Sequence, residues 1–306
     1  MDLRIFVEPQ EGATYDDQLR LARKAEELGF DGFFRSDHFL QVEAGSGLPG
    51  PTDAWVTLGA IARETSRLRL GTLVSPATFR LPGPLAVTVA QVDRMSGGRV
   101  ELGLGAGWHA AEHEAYGIPF PDPAERFDRL AEQVAIIDGL LSTPPGARYS
   151  FEGRHYRLVD SPALPKPVQA PRPPLILGGA GRSKGARLAA RYADEFNAFA
   201  PPAAAAAIFA RVREAAVSIG REIRFSAAAT TCLGRTDEQL RRRAEAIGRT
   251  LDDLRVNGLA GTGEQARQRI AEYQQAGASR LYVQIMDMHD LEHVELIAAE
   301  LLGPAS

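Results

Sequence analysis

A closed (β/α)8 TIM barrel with insertions is the fold the sequence predicts, and three observations predict it. About eight short, mostly apolar runs are spaced along the chain, as strands covered on both faces require. Nearly all of them are separated by stretches with helical spacing, the alternation that builds a parallel sheet. The 306 residues are 44% hydrophobic and 24% charged, enough to bury a sizeable core. An open doubly wound sheet of about eight strands is the alternative. The chain reads as one domain, 1–306, with insertions near 142–174 and 252–262.

The first run, Leu3 to Val7, precedes Tyr15, Leu19, Ala22, Ala25 and Leu28 at helical spacing. Thr14 and Asp17 are placed as a capping box and Gly29 as the helix stop. Strand Phe33 to Ser36 follows with helix Asp53 to Glu64, then strand Leu68 to Val74 with helix Pro84 to Met95. Strand Val100 to Leu104 leads to a short helix beyond Trp108, and Phe127, Leu130, Val134, Ile137 and Leu141 mark a longer one. The rhythm breaks at Ser142 to Pro174. There, prolines bracket an alternating stretch, Tyr149 to Leu158, that reads as a β-hairpin turning at Glu152-Gly153. The series resumes with strand Leu175 to Leu177 and helix Lys184 to Tyr192, strand Glu195 to Phe199 and helix Ala203 to Ile219, and strand Phe225 to Leu233 and helix Asp237 to Arg249. Asp252 to Thr262 is a second break. A helix from Gly263, a strand from Leu281 to Ile285 and a helix from Leu291 to Leu302 complete the series.

Lys and Arg number 35 against 39 Asp and Glu, a formal net charge of -4. That balance leaves no electrostatic footprint for nucleic acid or an anionic membrane, so the expected partners are a small-molecule substrate and other copies of the chain. The single cysteine, Cys232, sits in an apolar run and reads as a buried, inert thiol. No apolar run approaches the roughly 20 residues of a bilayer span. The first residues lack the order of a signal peptide, and the expected location is the cytoplasm.

Ser36-Asp37-His38 stands where the second strand runs into a loop, and barrels build their chemistry at the carboxyl ends of strands. An imidazole beside an acid there is a candidate for orienting a ring or moving a proton near neutral pH. His109 and His113 lie four residues apart, but the order His109-Ala110-Ala111-Glu112-His113 is not that of a helical zinc motif, and no metal is expected. Gly103, Gly105 and Gly107 alternate through a turn that delivers Trp108 and a helix start. A second glycine turn, Gly178-Gly179-Ala180-Gly181-Arg182-Ser183, again joins a strand to a helix and adds a guanidinium. Two such turns point to a phosphorylated cofactor, with Arg182 and Lys184 the basic residues best placed to meet anionic groups.

The chain resembles the luciferase-like monooxygenase superfamily, and within it the oxidoreductases that use the deazaflavin coenzyme F420. The resemblance rests on Ala25-Glu26-Glu27-Leu28-Gly29-Phe30-Asp31 leading to Ser36-Asp37-His38, on Leu70-Gly71-Thr72 with Pro76 and Arg80, and on Gly97-Gly98-Arg99-Val100. It continues through Gly103-Leu104-Gly105-Ala106-Gly107-Trp108, Glu112-His113 with Ala115-Tyr116-Gly117, and Gly178-Gly179-Ala180-Gly181. What it implies is a luciferase-like barrel with a cis peptide at Leu73-Val74 and the cofactor at the carboxyl ends of the strands. His38, with Asp37 beside it, would lie near the deazaflavin ring; Thr72, Leu73, Val74 and Ser75 would line the ring. Ala106, Gly107 and Trp108 would meet the cofactor arm, and Gly178, Gly179, Gly181 and Arg182 its phosphate and acidic tail. Where relatives carry an acid after the fourth-strand turn, this chain has Trp108 and His109, which makes His109 a candidate proton donor beside His38 and Asp37.

The resemblance therefore implies hydride transfer between the deazaflavin and a small organic substrate, as alcohol oxidation or reduction of a C=C or C=N bond. The alternative is an FMN-dependent monooxygenase of the same superfamily, and the third reading is a cofactor-free barrel with a binding role. A homodimer is the family expectation, with helices Asp53 to Glu64 and Pro84 to Met95 as interface elements. Substrate choice is expected in the hairpin Tyr149 to Leu158, the loop Leu40 to Thr52 and the segment Asp252 to Thr262. Phe39, Trp55 and Phe79 are candidates for an apolar pocket.

Overall fold

The computed structural model describes residues 1–42 and 46–302. Its eight main strands are β1 (Asp2–Val7), β2 (Gly32–Arg35), β3 (Arg69–Thr72), β4 (Val100–Gly105), β5 (Leu175–Gly178), β6 (Glu195–Ala198), β7 (Arg224–Leu233) and β8 (Arg280–Ile285). Each pairs in parallel with the next, and β8 pairs with β1 from Asp2↔Arg280 to Val7↔Ile285, which closes the sheet. That closing pair excludes the open sheet.

The helices are α1 (Tyr15–Leu28), α2 (Ala54–Glu64), α3 (Pro82–Ser96), α4 (Ala110–Ala115), α5 (Pro123–Ser142), α6 (Ser183–Tyr192), α7 (Pro202–Val217), α8 (Asp237–Ala246), α9 (Leu251–Asn257), α10 (Gly263–Gln275) and α11 (Leu291–Leu301). Thr14 and Asp17 form the expected capping box, and Gly29 ends α1 in the left-handed region at φ 89. Outward-facing Ile5, Val7, Phe33 and Leu70 pack against this helical layer. Inside the barrel, Phe6, Phe34, Ile176 and Tyr282 form a separate apolar cluster.

The amino end of the barrel is filled by charge rather than by hydrocarbon. Arg4 donates to both oxygens of Glu101 at 2.6 and 3.0 Å, Arg69 reaches the same carboxylate at 2.9 Å, and Arg280 pairs with Glu195 and Asp2. Burial opposes the Glu101 charge, but Arg4, Arg280 and Arg69 together hold its carboxyl down to about 2. Most of these side chains are buried, so their mutual pairing is what makes the layer tolerable.

Two expectations are corrected. Residues 252–262 are not an irregular break: α9 begins at a Thr250 cap, and Leu259–Gly261 forms a short parallel strand on the end of β7. Only Leu254 of that helix is buried, so no apolar periodicity announced it. The hairpin is present, as Tyr149–Glu152 against Arg157–Ser161, but its turn spans 153–156. Glu132 of α5 accepts from the backbone N–H groups of Arg154, His155 and Tyr156 and so fixes that turn from outside the hairpin.

Candidate active site

A cavity of about 690 Å³ lies at the carboxyl ends of the strands, in the size range of small-molecule sites. Glu8 follows β1, Ser36 and His38 follow β2, Leu73 and Val74 follow β3, and Gly178, Gly179 and Ala180 come from the turn after β5. Gly105 to Trp108, Asn197, Phe199 and Gln284 complete most of the wall.

His38 is the polar centre of this wall. Its Nδ1 lies 2.9 and 3.1 Å from the two oxygens of Glu112, a residue of the first turn of α4, and the Phe39 N–H donates to the same carboxylate at 3.0 Å. Burial disfavours the charged ring, but the hydrogen bond and field of Glu112, with Glu8 and Asp37 behind, outweigh it and raise the imidazole pKa above its ordinary value. Burial likewise opposes the Glu112 charge, yet His38 and the Phe39 N–H hold that carboxyl below the usual range. The pairing favours a proton on the ring and a charge on the carboxylate, and Nε2 has no protein partner among the described residues. The Trp108 ring meets His38 edge-on with centroids 5.6 Å apart.

The acid beside the imidazole in sequence is not its partner in space. Successive residues of extended chain face opposite ways, so Asp37 turns away from the cavity into the barrel wall. It is 1% exposed; Ser75 Oγ donates to it at 2.6 Å, and Arg80 bridges it to Asp53, the residue that caps α2. Ser75 also accepts from the Trp55 indole at 3.2 Å and reaches Thr72 Oγ1, which donates to the Gly103 carbonyl at 3.0 Å. Asp37, Thr72 and Ser75 thus form a buried lattice behind the cavity wall, and the expected pairing of Asp37 with His38 is corrected to Glu112 with His38.

The Leu73–Val74 peptide is cis. It interrupts the third strand, which re-pairs with β4 only at Ser75–Pro76, and carries Leu73 and Val74 into the cavity wall. This accounts for two of the alternating glycines. A Cβ at Gly103 would stand 2.0 Å from the Thr72 oxygen and 2.9 Å from Val74 Cγ1, and one at Gly105 would stand 2.7 Å from Val74 Cγ2. Gly103 makes room first for the Thr72 backbone and then for Val74, and Gly105 for the Val74 side chain.

The second glycine turn donates its Gly179 N–H to the Asn197 carbonyl at 3.2 Å and leads into the start of α6, where the donors left for an anion lie. Gly179 has φ +124 with nothing within 4 Å of an added Cβ, and Gly181 has φ +57, so the backbone path itself requires glycine there. No side chain caps the first N–H groups of α6, whose N-cap is Arg182. Gly178 and Gly179 line the cavity; Gly181 and Arg182 stand just behind them at the helix start.

His109 lies outside the lining, as the N-cap of α4, with Nε2 3.3 Å from the Gln41 carbonyl. Both His113 nitrogens are engaged, at 2.7 Å by Thr78 Oγ1 and at 2.7 Å by the His109 carbonyl. Among the described residues no group of three or more His, Cys, Asp or Glu is arranged to hold a metal ion. Trp55 is core, and Phe39 stacks on Phe79 with centroids 4.8 Å apart, outside the lining. Neither residues 149–158 nor residues 252–262 reach the cavity; the loop Leu40 to Thr52 falls partly, at 43–45, outside the described residues. Glu8, Asn197 and Gln284 were missed in the sequence. Glu8 immediately follows β1, Asn197 lies near the carboxyl end of β6, and Gln284 lies near that of β8, which is the signal that would have found them.

A family model described as luciferase-like monooxygenase matches residues 3–252. The F420-dependent glucose-6-phosphate dehydrogenase of Microbacterium testaceum is 38% identical over 173 residues, covering 56% of this chain and 49% of that protein. The uncharacterized protein Rv0953c of Mycobacterium tuberculosis is 34% identical over 187 residues, covering 56% of this chain and 64% of that protein. The chain thus spans about half to under two thirds of the curated relatives it matches. Among solved structures, an F420-dependent secondary alcohol dehydrogenase in complex with an F420-acetone adduct superposes with TM-score 0.85 at 20% identity, covering 100% of this chain and 99% of that one. Monooxygenase RslO1 from Streptomyces bottropensis gives 0.82 at 24% identity, with 99% of each chain covered. At these identities the two structures speak for the fold.

Proposed function

The chain belongs to the luciferase-like monooxygenase family, and from that premise we propose that it is a coenzyme F420-dependent oxidoreductase acting on a small organic substrate. One observation carries the reading. A single cavity is lined by the His38–Glu112 pair, the Leu73–Val74 bulge and the Gly178–Ala180 turn, the three features a deazaflavin with a phosphate-bearing arm requires. The residues fit the group: the start of α6 behind the turn offers backbone donors to a phosphate, and Leu73 and Val74 offer an apolar shelf to a flat ring. The relatives named as F420-dependent support the same choice.

When bound, coenzyme F420 supplies a two-electron hydride carrier. The chain's own residues do the rest. His38, held in orientation by Glu112, keeps a proton at Nε2 and offers it to an oxygen or nitrogen at the reacting carbon, or takes it back in the reverse direction. Leu73 and Val74, with the exposed rings of Trp108 and Phe199, give the same space its apolar walls.

Titration with coenzyme F420 and with reduced FMN tests the reading. Micromolar binding of coenzyme F420 is expected; tight binding of reduced FMN with none of coenzyme F420 assigns the chain to the monooxygenases instead. The working form proposed is a homodimer joined through the outer faces of α2 and α3. Val56 is 76% exposed, Leu81 63% and Val87 44%, leaving apolar side chains in solvent on those elements of the monomer.

A further inference from the structure

Identity to a glucose-6-phosphate dehydrogenase suggests a sugar phosphate as substrate, but the side chains around the cavity argue otherwise. Resting on the F420 reading above, we propose that the substrate end of the cavity takes an uncharged, mainly apolar molecule with one polar heteroatom at its reacting carbon, and rejects phosphorylated sugars.

The charges are segregated. Among the described residues no Lys or Arg lines the cavity, whereas the carboxylates of Glu8 and Glu112 do. The nearby arginines are spent elsewhere: Arg80 on Asp37 and Asp53, and the buried Arg35 on Gln18 and Thr52. Free cationic charge gathers instead at the glycine turn, where Arg182 stands and Arg211 donates to the Ala180 and Gly181 carbonyls. Glu112 is spent on His38, so the glycine-turn end favours an anion while at the other the Glu8 carboxylate disfavours one.

Part of the hydrogen-bonding capacity is also committed. Glu8 accepts from Gln10 at 2.8 Å and from Gln284 at 2.9 Å, Gln284 accepts from Thr230, Asn197 donates to Ser226 at 2.9 Å, and Ser36 donates to Gln10 at 2.7 Å. A sugar presents a hydroxyl at nearly every carbon and needs a matching set of partners, since each buried hydroxyl left unpaired is costly. His38 Nε2 supplies one unpartnered donor, and Phe6, Leu73, Val74, Trp108, Phe199 and Ile208 supply apolar wall.

Calorimetry separates this inference from the reading beneath it. Coenzyme F420 is titrated first; no binding sinks the cofactor reading and the inference with it. Protein saturated with coenzyme F420 is then titrated with neutral alcohols and ketones of three to eight carbons and with glucose 6-phosphate. We expect at least one neutral compound to bind 10-fold or more tighter than glucose 6-phosphate. Saturable binding of coenzyme F420 followed by glucose 6-phosphate binding as tightly as the best neutral compound overturns the inference and leaves the cofactor reading standing. In Glu8→Gln, loss of the carboxylate should narrow the preference at least threefold; an unchanged ratio removes Glu8 from the selection and overturns the electrostatic part of the inference.

Discussion

Nδ1 of His38 lies 2.9 Å from Oε1 of Glu112 across 74 residues of chain, and this contact sets the protonation of the cavity wall. Its linkage has two edges. The raised His38 pKa contributes stability that is complete below its ordinary 6.5 and is lost as pH rises through the folded value. The lowered Glu112 pKa contributes stability present above its ordinary 4.5 and lost as pH falls through the folded value. Between those edges both charges stand. In Glu112→Gln the chief influence raising the imidazole pKa is gone and burial remains, so we expect the His38 ring resonances to titrate at lower pH than in the parent protein. An unshifted NMR titration would falsify the pairing.

His38→Ala removes the only unpartnered Nε2 donor we assign to the reaction. With coenzyme F420 and a turned-over substrate, we expect kcat to fall about 100-fold or more, the scale of a lost proton-transfer group, while thermal stability stays near the parent value. A tenfold or smaller loss would make His38 a wall residue only.

His293 responds to acid in the opposite sense to His38. Burial, seconded by Arg243, pushes its pKa down to about 4, and its Nε2 accepts from the Leu233 N–H at 2.9 Å, so the ring is neutral in the fold. A depressed histidine pKa contributes stability that is present above the ordinary 6.5 and is lost as pH falls toward 4. The shift corresponds to about 3 kcal/mol at full protonation. His293→Gln should flatten the decline in melting temperature between pH 7 and 5, and a decline as steep as the parent's counts against the assignment.

Gly105 and Val74 share one volume, since a Cβ at Gly105 would sit 2.7 Å from Val74 Cγ2. Gly105→Ala should cost about 1–3 kcal/mol in urea denaturation, the range for overpacking. Combined with Val74→Ala, the cost should be less than the sum of the two single changes by about 1 kcal/mol. Strict additivity would mean that the glycine serves another purpose.

Burial raises the Cys232 thiol to about 11, so thiolate is scarce at neutral pH. Native protein should leave Ellman's reagent unreacted over an hour and release one equivalent of thionitrobenzoate once unfolded; rapid native reaction would contradict the burial.

Val56→Asp places a charge on the face we assign to the dimer. Sedimentation should show the parent as a dimer and the variant as a monomer or a weakened dimer with its far-ultraviolet spectrum intact. A monomeric parent removes that assignment.

The barrel was legible because its strands are short apolar runs closed by glycine or polar turns, and Thr14, Asp17 and Gly29 state the limits of α1 in their own chemistry. The partner of His38 was not. Adjacency in sequence favoured Asp37, but alternation along extended chain turns neighbours to opposite faces, and the true partner arrives on another βα unit. The packing need for Gly103 and Gly105 was hidden for a related reason: a glycine at a strand end reads equally as a ligand cradle and as relief for atoms of the neighbouring strand, and only packing tells which. The helix α9 escaped because its stability comes from caps and a single buried leucine rather than from a stripe.

The ion layer at the amino end of the barrel has an assembly consequence. Arg280 on the last strand reaches Asp2 on the first at 3.1 Å and lies 3.6 Å from Glu101 on the fourth. A fragment ending in the 142–174 insertion would keep Glu101 with Arg4 and Arg69 but forfeit Arg280, while its complement would carry Arg280 on β8, an uncovered sheet edge, with Glu195 inside the same half. The two pieces hold matched charges on a surface that neither can hide alone. In a chain split at that insertion, the cross-half pairs of Arg280 with Asp2 and Glu101 would be the contacts that reassembly has to restore.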